Sequence, residues 1–122
     1  MSKKRVFIIE DDLDIAKIMK YALEAEGHEV YTANDGKEGF EEIRHDPPDL
    51  VILDLALPGL CGEEVCRKIK RDKNLKDIPV IMVTAKSSDT DRVIGKVIGA
   101  NRYMIKPFDV DELLSEVNSL TG

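Results

Sequence analysis

Three short, continuous apolar runs constrain the fold of this chain more than any other feature. They span residues 6–9, 50–53 and 80–83, and each is bounded by polar or turn-forming residues. Runs of this length are typical of parallel strands that are covered on both faces. Residues 29–33 and 102–105 are shorter or more mixed segments, which suit strands at the edges of a sheet. The sequence therefore predicts five strands.

Segments with helical spacing of apolar residues separate the strands and follow the last one. Their apolar positions are Ile15, Ile18, Met19, Ala22 and Leu23; Phe40 and Ile43; Val65, Cys66 and Ile69; Val93, Val97 and Ile98; and Val110, Leu113, Leu114 and Val117. Asp35 with Glu38, Asp109 with Glu112, and Ser88 are the predicted helix starts. Strict alternation of strand and helix predicts a doubly wound α/β fold with a parallel sheet and right-handed crossovers.

Length and charge narrow the class of protein. A chain of 122 residues is expected to form one domain, residues 1–122. Its net charge of -6 argues against a domain that neutralises nucleic-acid phosphates. No apolar run is long enough for a signal peptide or a membrane span, so we expect a cytoplasmic protein. Cys61 and Cys66 lack the spacing of a redox or zinc motif and are interpreted as free thiols.

Polar residues with complementary chemistry follow the predicted strands. They are Glu10, Asp11 and Asp12 after the first, Asp54 after the third, Thr84 after the fourth and Lys106 after the fifth. In a doubly wound sheet the carboxyl ends of the strands form the ligand-binding edge, so these side chains are expected to lie together. Adjacent carboxylates repel unless a cation neutralises them, and oxygen ligands suit Mg²⁺ or Mn²⁺.

Considered one at a time, these residues differ in how strongly they indicate a functional site. Asp12 is interpreted as a helix cap, and Thr84 and Lys106 are individually weak signals. Asp54 is stronger, because an unpaired charge directly after an apolar strand is costly to bury. A carboxylate nucleophile can accept a phosphoryl group, whose oxygens a hydroxyl and an ammonium group can bind.

Four segments together resemble a known family. They are residues 6–12 (VFIIEDD), 51–62 (VILDLALPGLCG), 79–86 (PVIMVTAK) and 99–108 (GANRYMIKPF). In this order they resemble the four signatures of a response-regulator receiver domain of the chemotaxis-regulator type, over essentially the whole chain. The resemblance implies a flavodoxin-like (βα)5 fold with strand order 2-1-3-4-5.

The resemblance also implies a chemical role for each residue at the strand ends. Asp54 would accept a phosphoryl group from the phosphohistidine of a sensor histidine kinase, from a phosphotransfer protein or from a small phosphodonor. Asp11, Asp54 and the Ala56 carbonyl would bind Mg²⁺, with Mn²⁺ as the alternative, and Glu10 would act mainly through metal-bound water. Thr84 and Lys106 would hold the phosphoryl oxygens.

Further family features concern the switch and the output. Tyr103 resembles the aromatic residue that turns inward when the Thr84 hydroxyl moves, and Ala85 would leave room beside Thr84 and Lys106. The Lys106-Pro107 bond resembles a family cis bond. Partners, including a downstream protein target or a fused output domain, would bind the face of the fourth helix, fifth strand and fifth helix. The oligomeric state stays open, with a phosphorylation-dependent dimer as one alternative.

The chain departs from the common family pattern at three positions. Ala56 replaces a larger residue, which predicts an unusual autodephosphorylation rate of unspecified sign. Cys61 replaces an aspartate in the turn after the acceptor, and Arg102 replaces an acidic residue before the aromatic position. Neither of the last two is expected to disturb the metal site.

Two other function classes are alternatives to a regulatory receiver, which would perform only self-phosphorylation and slow self-hydrolysis. A haloacid-dehalogenase-type phosphatase also uses an aspartate nucleophile and Mg²⁺, but it needs Asp-x-Asp near its first strand. Here Asp54 is followed by Leu55 and Ala56 on the third strand. A docking module that is never phosphorylated would not need the full set of strand-end residues. The chain is either a stand-alone receiver or a part of a longer regulator.

Overall fold

The computed structural model describes residues 3–85 and 99–122, and in these ranges strand and helix alternate as predicted. The strands are β1 (Arg5–Ile9), β2 (Glu29–Ala33), β3 (Leu50–Asp54), β4 (Val80–Thr84) and β5 (Arg102–Ile105). The helices are α1 (Leu13–Ala25), α2 (Gly36–His45), α3 (Gly62–Arg71) and α4 (Val110–Thr121). The helix predicted from Val93, Val97 and Ile98, with Ser88 as its cap, lies outside the described residues.

The five strands form one parallel sheet in the order β2-β1-β3-β4-β5. This confirms the predicted flavodoxin-like order. The two mixed segments are the edge strands, and the three apolar runs are central. β3 and β4 are buried at all five positions, as expected for strands that are covered on both faces.

Successive side chains of the central strands point to opposite faces of the sheet and build two hydrophobic cores. One core joins the sheet to α2 and α3, and it includes Phe7, Ile9, Val51, Leu53, Val80, Met82, Ile43, Val65, Cys66 and Ile69. The other joins the sheet to α1 and α4, and it includes Val6, Ile8, Leu50, Ile52, Ile81, Val83, Met19, Leu23, Leu113 and Val117. Neither cysteine forms a disulfide, and Cys66 is fully buried as a small core residue.

The ends of α1 follow local sequence signals. The Asp12 carboxylate accepts hydrogen bonds from the backbone N–H groups of Asp14 at 3.0 Å and Ile15 at 3.2 Å, which confirms that Asp12 is a cap. Gly27 follows the helix with φ +91°, a conformation that favours glycine. The chain then turns directly into β2.

The starts of α2 and α4 differ from one another. Asp35 accepts a hydrogen bond from the Glu38 N–H at 2.9 Å, as predicted. Asp109 caps α4 as predicted, and its carboxylate accepts a hydrogen bond from the Asp111 N–H at 3.4 Å. A short aspartate side chain can reach the N–H two residues ahead as readily as the one three residues ahead. None of the helices in the described ranges is both long and apolar enough to cross a bilayer.

Candidate functional site

The carboxyl ends of four strands bring the predicted residues to one edge of the sheet. Glu10 and Asp11 directly follow β1, Asp54 and Thr84 are the last residues of β3 and β4, and Lys106 directly follows β5. Asp54 continues the pairing of β3 with β4 opposite Val83, so the strand extends one residue beyond the apolar run. The backbone therefore fixes the Asp54 side chain at the open edge.

Lys106 joins two buried carboxylates. Its Nζ lies 2.7 Å from Glu10 Oε1 and 3.0 Å from Asp54 Oδ2. Glu10 is 1% exposed and Asp54 is 6% exposed. We call Glu10, Asp54 and Lys106 the buried ion cluster. The contact between Lys106 and Asp54 agrees with the predicted grouping, whereas the contact with Glu10 was not anticipated from the sequence.

The second oxygen of each buried carboxylate is held by the backbone. Asp54 Oδ1 accepts a hydrogen bond from the Ala56 N–H at 3.2 Å. Glu10 Oε2 accepts one from the Asp12 N–H at 3.1 Å. Each carboxylate therefore has one oxygen on the ammonium group and the other on a backbone donor, which fixes its orientation and offsets part of the cost of burial.

Burial changes the protonation of this cluster. The pKa of Glu10 is raised from 4.5 to about 7, mainly because burial removes the carboxylate from water; the neighbouring Asp54 adds to the rise, and the hydrogen bond from Lys106 opposes it. Burial alone would lower the pKa of Lys106, but its hydrogen bonds to Glu10 and Asp54 outweigh this, so that pKa is raised. Lys106 therefore remains a cation, while Glu10 can hold a proton near neutral pH.

Asp11 lies beside the buried ion cluster on the side that faces solvent. One carboxylate oxygen from each of Glu10, Asp11 and Asp54 lies within 4.8 Å of the others, and Asp11 is exposed. In the octahedral geometry of Mg²⁺, adjacent ligands lie about 3 Å apart and opposite ligands about 4.2 Å apart, because each bond is about 2.1 Å long. The three oxygens would therefore move somewhat closer together to share an ion. Their hard donor chemistry and this spacing fit Mg²⁺.

The predicted switch residues surround the same edge. Thr84 is 3% exposed, and its carbonyl accepts a hydrogen bond from the Lys106 N–H at 2.7 Å. Ala85 is exposed beside it. Tyr103 is half-buried and packs against the core on the α2 and α3 side of the sheet, and it pairs in register with Met82. The Lys106-Pro107 bond is cis, as predicted.

The start of α2 also contributes to this edge, which the sequence reasoning missed. The Gly36 N–H donates to the Pro58 carbonyl at 3.1 Å, in the loop that follows Asp54. Asp35 had been interpreted only as a helix cap. The available signal was its position: Asp35 and Gly36 follow β2, and the carboxyl end of every parallel strand points to the same edge.

Comparison with known proteins agrees with this geometry. The family model for the response regulator receiver domain matches residues 6–118. Among solved structures, the receiver domain of the Francisella response regulator 1452 is 31% identical with a TM-score of 0.90, covering 98% of this chain and 97% of that one. The Vibrio cholerae chemotaxis response regulator CheY4 is 27% identical with a TM-score of 0.92, covering 98% and 99%.

A third similar structure contains a magnesium ion. It is the receiver domain of the sensor histidine kinase PA1611 from Pseudomonas aeruginosa PAO1, with a magnesium ion coordinated in the active site cleft. It is 26% identical to this chain with a TM-score of 0.91, covering 99% of both chains. With the family match over residues 6–118, the chain belongs to the response regulator receiver domain family, the receivers of two-component systems.

Proposed function

We propose that this chain accepts a phosphoryl group on Asp54 and thereby switches a surface that binds partners. The observation that carries the proposal is the buried ion cluster, in which Lys106 lies 3.0 Å from Asp54 Oδ2 at the open edge of the sheet. Receiver domains interact with histidine kinases or phosphotransfer proteins. The proposed donor is therefore a phosphohistidine of such a protein, or a small acyl phosphate.

The proposed transfer uses Asp54 as the nucleophile. One Asp54 carboxylate oxygen forms a bond to phosphorus, the phosphorus–nitrogen bond of the phosphohistidine breaks, and its electron pair stays on the imidazole nitrogen. The Lys106 ammonium and the Thr84 hydroxyl bind the phosphoryl oxygens. Because the backbone already fixes Asp54, Thr84 and Lys106 at one edge, little reorganisation is needed when negative charge arrives.

The proposed metal site consists of Glu10, Asp11, Asp54 and the Ala56 carbonyl. Mg²⁺ is the proposed ion, and Mn²⁺ is the second choice. When bound, the ion neutralises the carboxylates and the phosphoryl oxygens that gather at this edge. The close carboxylate oxygens support this assignment, as does the magnesium in the PA1611 receiver domain. Asp11 reaches the site from the solvent side, since it is the exposed member of the set.

The proposed output is a change in surface rather than turnover of a substrate. Phosphorylation adds negative charge and strong acceptors beside Thr84, and we assign Thr84 and Tyr103 as the residues that respond. The family is regulatory. In the proposal the chain works as one domain over residues 1–122, and its only chemistry is self-phosphorylation and slow loss of its own phosphoryl group. The comparisons favour neither the phosphatase nor the unphosphorylated docking module.

Intact mass spectrometry after incubation with Mg²⁺ and acetyl phosphate tests the proposal. The native protein should gain the mass of one phosphoryl group, and the Asp54→Ala variant should gain none. Asp14→Ala is the matched control, because Asp14 is an exposed aspartate at the start of α1, and it should gain the same mass as the native protein. A native protein that gains no phosphoryl mass would contradict the proposed function.

A further inference from the structure

The loop of residues 55–61, here called the acceptor loop, contacts the proposed phosphoacceptor directly. The Ala56 N–H donates to Asp54 Oδ1 at 3.2 Å. The ends of the loop are fixed, since the Leu55 N–H donates to the Val83 carbonyl at 2.9 Å and the Gly62 N–H donates to the Leu55 carbonyl at 3.0 Å. The middle of the loop therefore decides how Ala56 lies relative to Asp54.

The first residue of α2 holds the middle of the acceptor loop. The Gly36 N–H donates to the Pro58 carbonyl at 3.1 Å. A Cβ atom on Gly36 would lie 1.7 Å from the Leu60 carbonyl oxygen, far inside contact distance. Because the obstacle is backbone, no rotation of a side chain can relieve the overlap. Only a glycine lets α2 and the loop approach this closely.

Asp35 makes a second contact with the same stretch of the loop. Its carboxylate is oriented by the hydrogen bond from the Glu38 N–H and lies against Gly59. Gly59 has φ +77°, and a Cβ atom there would lie 2.7 Å from Asp35 Oδ2. Asp35 and Gly36 thus touch residues 58, 59 and 60 in succession.

We propose that Asp35 and Gly36, at the start of α2, position the acceptor loop and thereby set the lifetime of the phosphoryl group on Asp54. This inference rests on the proposed function. In the hydrolysis, a water oxygen forms a bond to phosphorus and the bond from phosphorus to the Asp54 oxygen breaks. Its electron pair returns to the carboxylate, inorganic phosphate leaves, and the proton that the water loses passes to solvent. Ala56 lies exposed beside this bond, so displacement of the loop changes the access of water.

The Gly36→Ala variant tests the close approach. The added methyl group forces the Leu60 carbonyl away from α2, the Ala56 N–H leaves Asp54, and we expect the phosphoryl half-life to shorten by about fivefold or more. Gly39→Ala is the matched control in the same helix. Its added methyl group would meet Ile9 Cδ1 at 2.5 Å, which disturbs a core side chain and not the loop. Its half-life should stay within about twofold of the native value.

Gly59→Ala and Gly27→Ala form a second pair, which decides the question if Gly36→Ala does not fold. Both glycines have positive φ, +77° for Gly59 and +91° for Gly27, so alanine strains the backbone at either position. No atom lies within 4 Å of a Cβ atom on Gly27. We therefore expect both variants to lose similar stability, and only Gly59→Ala to shorten the half-life, by about threefold or more.

The backbone amide signal of Ala56 in the unphosphorylated protein, measured by NMR, gives an independent readout. It should shift in Gly36→Ala and Gly59→Ala and stay at the native value in Gly39→Ala and Gly27→Ala. Native half-lives in both loop-facing variants would overturn the inference, and so would unchanged Ala56 signals. A native protein that takes up no phosphoryl group would contradict the proposed function instead, and the Ala56 signals would then decide whether α2 positions the loop.

Discussion

Two ion clusters lie at opposite ends of β1 and use the same kinds of charge. At the start of the strand, the Arg5 guanidinium donates to the Asp46 carboxylate at 2.7 and 3.1 Å, and the Arg5 N–H donates to Asp49 at 2.8 Å. At the other end, Lys106 contacts Glu10 and Asp54 at similar distances. The Asp46 side chain is 75% exposed, whereas that of Glu10 is 1% exposed.

The difference indicates that burial, and not the pairing of charges alone, sets the proposed site apart. Water screens the Arg5 pair, which ties residues 46–49 to β1 and contributes little else. Burial of Glu10 raises its pKa to about 7 and leaves Lys106 as the neutralising charge beside Asp54, the proposed acceptor. A phosphoryl group or a metal ion that arrives there meets preoriented charges that solvent does not screen.

Removal of Lys106 should have the largest effect on stability. The Lys106→Met variant leaves Glu10 and Asp54 buried without their cation, so we expect a loss of about 4 kcal/mol in the free energy of unfolding at about pH 8 without metal. Urea denaturation measures it. Lys17→Met is the matched control, because Lys17 is an exposed lysine of α1. If Lys106→Met lowered the free energy of unfolding by less than about 1 kcal/mol, the buried cluster would not differ in energy from the exposed one.

The raised pKa of Glu10 predicts a pH dependence with a definite sign. Below about pH 4.5 Glu10 is protonated in both the folded and the unfolded chain, and between about 4.5 and about 7 only the folded chain holds the proton. This contribution to stability is therefore present at low pH and is lost as the pH rises through about 7. In metal-free buffer, the native protein should lose about 3 kcal/mol relative to Glu10→Gln between about pH 5 and about pH 8. A difference in the free energy of unfolding between the two proteins that stays constant with pH would contradict the raised pKa of Glu10.

Metal binding should stabilise the protein by a smaller amount, and it should do so only through ligands at the carboxyl edge of the sheet. Mg²⁺ at ten times its dissociation constant should raise the free energy of unfolding of the native protein by about 1.4 kcal/mol through mass action. The Asp11→Ala variant should lose this gain, since the exposed ligand is missing. Asp14→Ala should keep it. Thermal unfolding with and without Mg²⁺ measures the effect, and equal gains in both variants would argue against a site at Asp11.

Removal of Arg5 from its exposed cluster with Asp46 and Asp49 should have the smallest effect on stability. Arg5→Met removes the pair with Asp46, and we expect a loss of no more than about 1 kcal/mol in the free energy of unfolding. The phosphoryl half-life and Mg²⁺ affinity should not change, because Arg5 lies at the other end of β1. A loss as large as that of Lys106→Met would show that exposure does not distinguish the two clusters.

Most of the fold could be predicted from the sequence, because burial on both faces leaves a clear pattern in the central strands. Residues 50–53 and 80–83 are apolar at every position, because both faces of these strands are covered in the fold. The cap residue of α4, Asp109, was also predictable, but the backbone donor that it binds was not, because local geometry rather than residue type decides which N–H its carboxylate reaches.

The sequence predicted that the strand-end residues lie close together, but it did not predict their individual contacts. The rule that ligands gather at the carboxyl ends of parallel strands was enough to group Asp11, Asp54, Thr84 and Lys106. It could not show that Lys106 also reaches Glu10, because that depends on the length and rotamer of a flexible side chain. The contact between Gly36 and the acceptor loop depends on where α2 crosses the sheet. The pattern of residues along the sequence does not predict that position. The expected effect of Ala56 on autodephosphorylation stays a prediction.

Chemical trapping identifies the residue that carries the phosphoryl group. Native protein is phosphorylated with acetyl phosphate and Mg²⁺, then treated with borohydride, which reduces an aspartyl phosphate to homoserine, and the digested peptides are sequenced by mass spectrometry. We expect homoserine at position 54 and unchanged aspartate at positions 11, 12 and 14. Homoserine at another position, or an unmodified Asp54 in protein that carries a phosphoryl group, would contradict it.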